Sequence, residues 1–95
     1  MEEEIVRVHF VFYGAVQHVG FRRRARLGAE AVGVTGWVRN DPSGTVSMEL
    51  QGTEEQIEQV LDAIDSSPRI VIERTKRRSV PIEPEETGFR RLSGG

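Results

Sequence analysis

The apolar residues of this chain switch between two repeats, one of about two residues and one of about 3.6, and the order of the switches leaves few folds open. In "IVRVHFVFY" (Ile5 to Tyr13), Val6, Val8, Phe10 and Phe12 alternate with Ile5, Arg7, His9 and Val11, which predicts a central strand buried mainly on the first face. Phe21, Ala25, Ala29 and Val32 are then spaced by four, four and three, one face of a proline-free helix that Gly33 can close. "VTGWVRN" (Val34 to Asn40), the turn "DPSG" (Asp41 to Gly44) and "TVSMELQ" (Thr45 to Gln51) make a hairpin. Thr53 and Gln56 form a capping-box pattern ahead of Ile57, Val60, Leu61 and Ile64, a second helix.

Ser66-Ser67-Pro68 breaks that helix, and "RIVIERTKRRSV" (Arg69 to Val80) begins as a strand and dissolves into charge. Thr75 and Arg77 stand where alternation calls for apolar side chains, and Arg91 follows Phe89 where a short closing strand would turn back inward. A polar, partly solvated edge strand accounts for this, and a one-residue shift of register is the alternative. Strand, helix, hairpin, helix, strand is the α+β order of a ferredoxin-like split βαβ (βαββαβ) two-layer sandwich. Its sheet is mainly antiparallel, of four or five strands, with both helices on one face.

Charge and composition limit the chemistry. The absence of cysteine removes disulfides, thiolate ligands and a cysteine nucleophile, and with only two histidines, His9 and His18, a histidine-rich metal site is not expected. No apolar run approaches the roughly 20 residues needed to span a bilayer, and the opening Met1-Glu2-Glu3-Glu4 is acidic where a secretory signal is basic. A cytoplasmic protein is expected. The formal net charge is −2, but it is segregated: Arg22, Arg23, Arg24 and Arg26 form one basic cluster, Arg74, Lys76, Arg77 and Arg78 another, and Glu54, Glu55, Glu58, Asp62 and Asp65 share one acidic segment.

The junction "GAVQHVGFR" (Gly14 to Arg22) has the parts of an anion cradle. A helix N-terminus offers free N–H groups and a positive dipole end, a curled loop ahead of it can aim more N–H groups inward, and an arginine in the first turn can fork onto two phosphate oxygens. Asn40, at the end of the second strand, should lie near this loop, and its amide can hold a water and a substrate oxygen together. Asparagine is equally at home as an ordinary turn residue, and a first-turn arginine can simply be solvated.

"VQHVGFR" and "GWVRNDPSGTV", in this order and spacing, resemble the two motifs of the acylphosphatases, and the likeness runs from Val6 to about Phe89. The resemblance implies one such domain over residues 1–95, with a core of about 5–92. It implies metal-free, cofactor-free hydrolysis of acyl phosphates, carboxyl-phosphate mixed anhydrides, to a carboxylate and inorganic phosphate. Arg22 matches the family's phosphate-binding arginine and Asn40 the asparagine that positions water. Gln17, His18, Val19, Gly20 and Phe21 match the loop whose backbone N–H groups surround the phosphate. A monomer is expected.

His18 departs from the pattern, because the family usually has glycine at this position. If the loop needs a positive φ there, histidine is strained by roughly 1 to 2 kcal/mol but still offers its N–H. Its side chain is expected to point to solvent; leaning over the phosphate is the alternative.

Rival readings keep the fold and change the use. A nucleic-acid module would employ the two basic clusters, but Phe10 and Phe12 belong to the apolar face, and alternating aromatics around glycines on a central strand are absent. Nucleic acid is therefore not an expected partner. A domain that binds a phosphorylated ligand without turnover is the other rival, and only His18 speaks for it.

Overall fold

The computed structural model describes residues 3–92, so the outermost residues of the expected domain lie outside it. The elements follow as β1 (Val6–Ala15), α1 (Phe21–Val32), β2 (Thr35–Asn40), β3 (Val46–Gly52), α2 (Glu54–Asp65), β4 (Val71–Ser79) and β5 (Phe89–Leu92). All the strands join one five-stranded sheet in the order β4-β1-β3-β2-β5. β3 is antiparallel to both β1 and β2, β4 adds antiparallel to β1, and β5 adds parallel to β2. This is the expected split βαβ sandwich, with a short fifth strand on the β2 edge.

The topology decides where chemistry can be placed. Because β1 and β2 both oppose β3, they run parallel to each other and end at the same end of the sheet. The loop after β1 and Asn40 at the end of β2 are brought together there, although 20 positions or more separate them in the chain.

One face of the sheet holds Val8, Phe10, Phe12, Val38, Val46, Met48 and Leu50 under both helices, which contribute Phe21, Ala25 and Ala29 from α1 and Ile57, Val60 and Ile64 from α2. Each such large side chain, once buried, contributes about 1.5–3 kcal/mol. The Phe12 and Phe21 rings meet at 4.9 Å between centroids, which fixes the start of α1 over β1. α1 and α2 approach closely at Gly28, where an added Cβ would lie 3.1 Å from Ala63 Cβ.

The helix boundaries follow the residues expected to set them. Gly33 ends α1 at φ 80°. At α2, Thr53 Oγ1 accepts from the Gln56 N–H at 3.1 Å and Gln56 Oε1 accepts from the Thr53 N–H at 2.9 Å, so two N–H groups left over by helix geometry are satisfied.

β4 is the polar edge strand anticipated from its composition, exposed along almost its whole length. Its pairing with β1 also shifts between Tyr13 and Gly14, a local irregularity rather than a slip of the strand. Arg77 faces the helix side, where its guanidinium sits 5.0 Å over the Phe10 ring and 3.4 Å from Glu58. It covers the end of the core with its stem while its charge stays wet.

Alternation does not account for Arg7, which falls on the face of β1 away from the helices and is nevertheless only 3% exposed. Its Nε donates to Glu49 at 2.8 Å, and its Nη1 donates to Glu86 at 2.7 Å and Gln51 at 3.0 Å. The chain after β4 folds back to make this possible: the Val80 N–H donates to Arg7 O, and Gln51 exchanges two hydrogen bonds with the backbone of Glu83. Burial disfavours the charged forms of Glu49 and Glu86, but hydrogen bonds and the charge of Arg7, with His9 adding a hydrogen bond to Glu49, hold both carboxyls below their ordinary range.

Candidate active site

The loop from Val16 to Gly20 is tied down at both ends. Val16 is buried, Val19 packs against the core, and the Phe21 ring is buried beneath the first turn of α1. Between these anchors His18 adopts φ 63° and Gly20, the residue capping α1, φ 85°. Two left-handed residues two apart curl the chain over the helix end instead of letting it run on extended. Histidine therefore occupies the positive-φ position anticipated for it, and the residue is exposed.

The N–H groups of this curl are what the geometry makes available. Arg24 is the first residue of α1 whose N–H reaches a carbonyl, that of Gly20, at 3.0 Å. Ahead of it, no N–H from residue 17 to 23 finds a protein acceptor among the described residues. Gly20 also carries no side chain that could cap the helix, so its end stays free for an external acceptor.

Arg22 leaves the first turn of α1 toward the end of β5, its Nη1 3.5 Å from Leu92 O. Asn40 is the last residue of β2, 6% exposed, paired in register with Val46. Arg22, Asn40, His18, Gly20 and Phe21 line one cavity of about 100 Å³, which Val16, Arg23 and Arg91 complete. A larger cavity of about 530 Å³ opens on the other face of the sheet, but its lining sets four carboxylates, Glu49, Glu83, Glu85 and Glu86, against two arginines, Arg7 and Arg90, a net negative charge that disfavours an anion.

Two residues whose backbone N–H groups were expected at the cradle keep their side chains out of the cavity. The Val19 side chain belongs to the core periphery. Gln17 turns away, and its Nε2 donates to Asp41 O at 2.7 Å and Thr45 O at 2.9 Å. It fastens the loop to the turn between β2 and β3, a job no pattern around it announces, because the carbonyls it reaches are 24 and 28 positions away.

That turn is itself braced. Asp41 accepts from Thr45 Oγ1 at 2.8 Å, Ser47 Oγ at 2.7 Å and Arg39 Nε at 3.1 Å. Burial raises the pKa of its carboxyl, but the hydrogen bonds from Ser47, Thr45 and Arg39 and the charge of Arg39 outweigh it and leave the pKa below the usual value. Asp41 thus stays ionised and holds the backbone next to Asn40 in place.

Arg23 and Arg91 were not anticipated in the lining. Arg91 did leave a trace in the sequence, as the charged residue at an inward position of the closing strand.

The arrangement suits an anion: N–H groups without protein acceptors and a guanidinium converge on one cavity beside a nearly buried amide. The acylphosphatase family model matches residues 8–91. The chain is 38% identical to the acylphosphatase of Geobacillus thermodenitrificans over 90 residues, 94% of this chain and 96% of that one. It is 40% identical to the acylphosphatase of Thermococcus kodakarensis over 81 residues, 85% of this chain and 87% of that one. Among solved structures, an acylphosphatase from Coxiella burnetii superposes with a TM-score of 0.82 at 26% identity, covering 93% of each chain. With a cradle built at the positions the motifs occupy and relatives matching almost end to end, the chain belongs to the acylphosphatase family of enzymes, which hydrolyse acyl phosphates.

Proposed function

We propose that the cavity at the N-terminus of α1 is where this enzyme hydrolyses acyl phosphates, and that Arg22 and Asn40 carry the reaction. The observation behind this is convergence: a first-turn guanidinium, a curl of N–H groups without protein acceptors and a nearly buried amide line one small cavity. The N–H groups of Gln17, His18, Val19, Gly20 and Phe21, with the fork of Arg22, hold the non-bridging phosphoryl oxygens. The charge growing on those oxygens in the transition state then meets donors already in place. The Asn40 amide holds a water against the phosphorus, on the side opposite the acyl oxygen.

The water oxygen forms a bond to phosphorus while the bond from phosphorus to the acyl oxygen breaks, and its electron pair leaves with the carboxylate. The proton of the water passes to a phosphoryl oxygen, giving inorganic phosphate. A carboxylate is a good leaving group, so positioning and charge stabilisation account for most of what the protein must supply. We place the reaction without metal or cofactor, in a monomer, in the cytoplasm. The motif arrangement supports the first. Among the described residues no helix is long and apolar enough to cross a membrane.

The test is the loss of benzoyl phosphate absorbance in buffer with a chelator. The natural chain is expected to turn over at an undiminished rate under those conditions. Arg22→Ala and Asn40→Ala should each lose about 10²–10³ in kcat, the usual effect of removing one transition-state donor. An inert natural chain, or full activity in both variants, would refute the assignment.

A further inference from the structure

We infer that the mouth of this cavity selects acyl phosphates whose acyl group carries a second negative charge, with Arg91 as the residue that reads it and Arg23 assisting. The inference rests on the assignment of the phosphoryl group to the cradle made above.

Arg91 arrives there through strand geometry. Side chains on one strand alternate between faces, so Arg91 shares the side of Phe89, which is buried toward the helices. β5 runs parallel to β2 with Arg91 beside Val38, a core residue. The position is one where an apolar side chain would extend the core, and an arginine stands there instead, in the lining that also holds Arg22, Arg23 and Asn40.

The charges around the cavity exceed what one phosphoryl group uses. Arg22 and the end of α1, worth about half an elementary charge, already face a phosphoryl group of at most two negative charges. Arg23 and Arg91 add two more guanidiniums, and no carboxylate lines the cavity. Outside the cavity Arg7 pairs with Glu49 and Glu86, Arg39 with Asp41 and Arg77 with Glu58, while the remaining arginines, like those of the cavity, have no carboxylate at ion-pair distance among the described residues. None of Arg22, Arg23 or Arg91 has a carboxylate within ion-pair distance among the described residues.

Depth assigns the surplus to the acyl end. Of the polar side chains in the lining, Asn40 is buried and Arg22 half-buried, whereas Arg23 and Arg91, like His18, are exposed. A phosphoryl group seated on the α1 end leaves its acyl group pointing outward, between these two side chains. The apolar side chains of the lining, Val16 and Phe21, are themselves buried, so the mouth offers a projecting acyl group charge instead of a hydrophobic wall. A carboxylate or second phosphate on that group would find a forked partner.

The experiment compares kcat/KM for succinyl phosphate, which ends in a carboxylate, with that for acetyl phosphate, in the natural chain, Arg91→Gln, Arg91→Lys and Arg23→Gln. The natural chain should prefer succinyl phosphate by about two- to fivefold, as expected for a charge pair at an exposed site, and the preference should shrink with added salt. Arg91→Gln should lower kcat/KM more for succinyl than for acetyl phosphate, through KM, and Arg91→Lys should keep part of the preference. Because each ratio is taken within one protein, partial unfolding of a variant cancels. Equal kcat/KM for the two substrates in the natural chain, or an equal loss on both in Arg91→Gln, would overturn the inference while leaving the hydrolytic assignment standing. Failure to turn over either substrate would remove both.

Discussion

Replacing His18 by glycine should make this protein more stable, although the substitution removes a side chain and introduces the most flexible residue. His18 sits at φ 63°, where an L-residue is disfavoured by roughly 1–2 kcal/mol, and histidine should lie at the low end because it tolerates this region better than most. Glycine removes that strain but makes the unfolded chain more flexible, which returns about 0.4–1 kcal/mol. The side chain is exposed, and no buried packing is lost. The balance is a gain of up to about 0.6 kcal/mol, and for a domain of this size each kcal/mol moves Tm by about 4–8 °C.

Gly20→Ala supplies the control of opposite sign. Its φ is 85°, and an added Cβ would meet nothing within 4 Å, so only backbone strain and the poorer helix cap act. It should lose about 1 kcal/mol. Urea unfolding of the natural chain, His18→Gly, Gly20→Ala and the double variant measures this directly, provided the slopes with urea match. A destabilised His18→Gly beside a destabilised Gly20→Ala would refute the argument, since it would mean that His18 makes contacts worth more than its strain.

Gln17→Ala should cut the loop from the β2–β3 turn; with two hydrogen bonds to carbonyls lost, urea unfolding should show about 1–3 kcal/mol less stability, and KM for benzoyl phosphate should rise more than kcat falls. Arg7→Ala should be the most damaging of these changes, about 3–5 kcal/mol by the same assay, because Glu49 and Glu86 are left without their cation; Arg7→Met combined with Glu86→Gln should be milder than Arg7→Ala. Asp41, Glu49 and Glu86 have folded-state pKa values below their ordinary ones, so the stability they confer is complete at neutral pH and is lost as pH falls through about 4 and below; unfolding followed from pH 7 to pH 2 should show this loss, and Asp41→Asn should flatten part of it.

How much of this could be read beforehand follows the range of the interactions. The helices were legible because their determinants are neighbours in the chain: Thr53 and Gln56 are three apart, and the face of α1 repeats every three or four residues. Arg22 and Asn40 were singled out as candidate site residues through motif resemblance, and the fold brings both to one cavity; the left-handed backbone at His18 was legible through the glycine it displaces. The polar character of β4 was also visible, since an edge strand needs no apolar partner on its outer side. Gln17 was read as a backbone N–H of the cradle, and the bracing role of its side chain was not legible because the carbonyls that hold it belong to a turn the fold delivers.

By itself the sequence determined the element order, the caps, the core faces and a cradle between the first strand and the first helix, all properties of residues within a few positions of one another. The tertiary structure alone decided the burial of Arg7, the brace from Gln17, the braced turn beside Asn40 and the arrival of Arg91 at the cavity. Each of these depends on which strand lies beside which, and on charges and amides finding partners tens of residues away. Hydrophobic period records whether a side chain faces in or out, but only the assembled sheet establishes what it meets there.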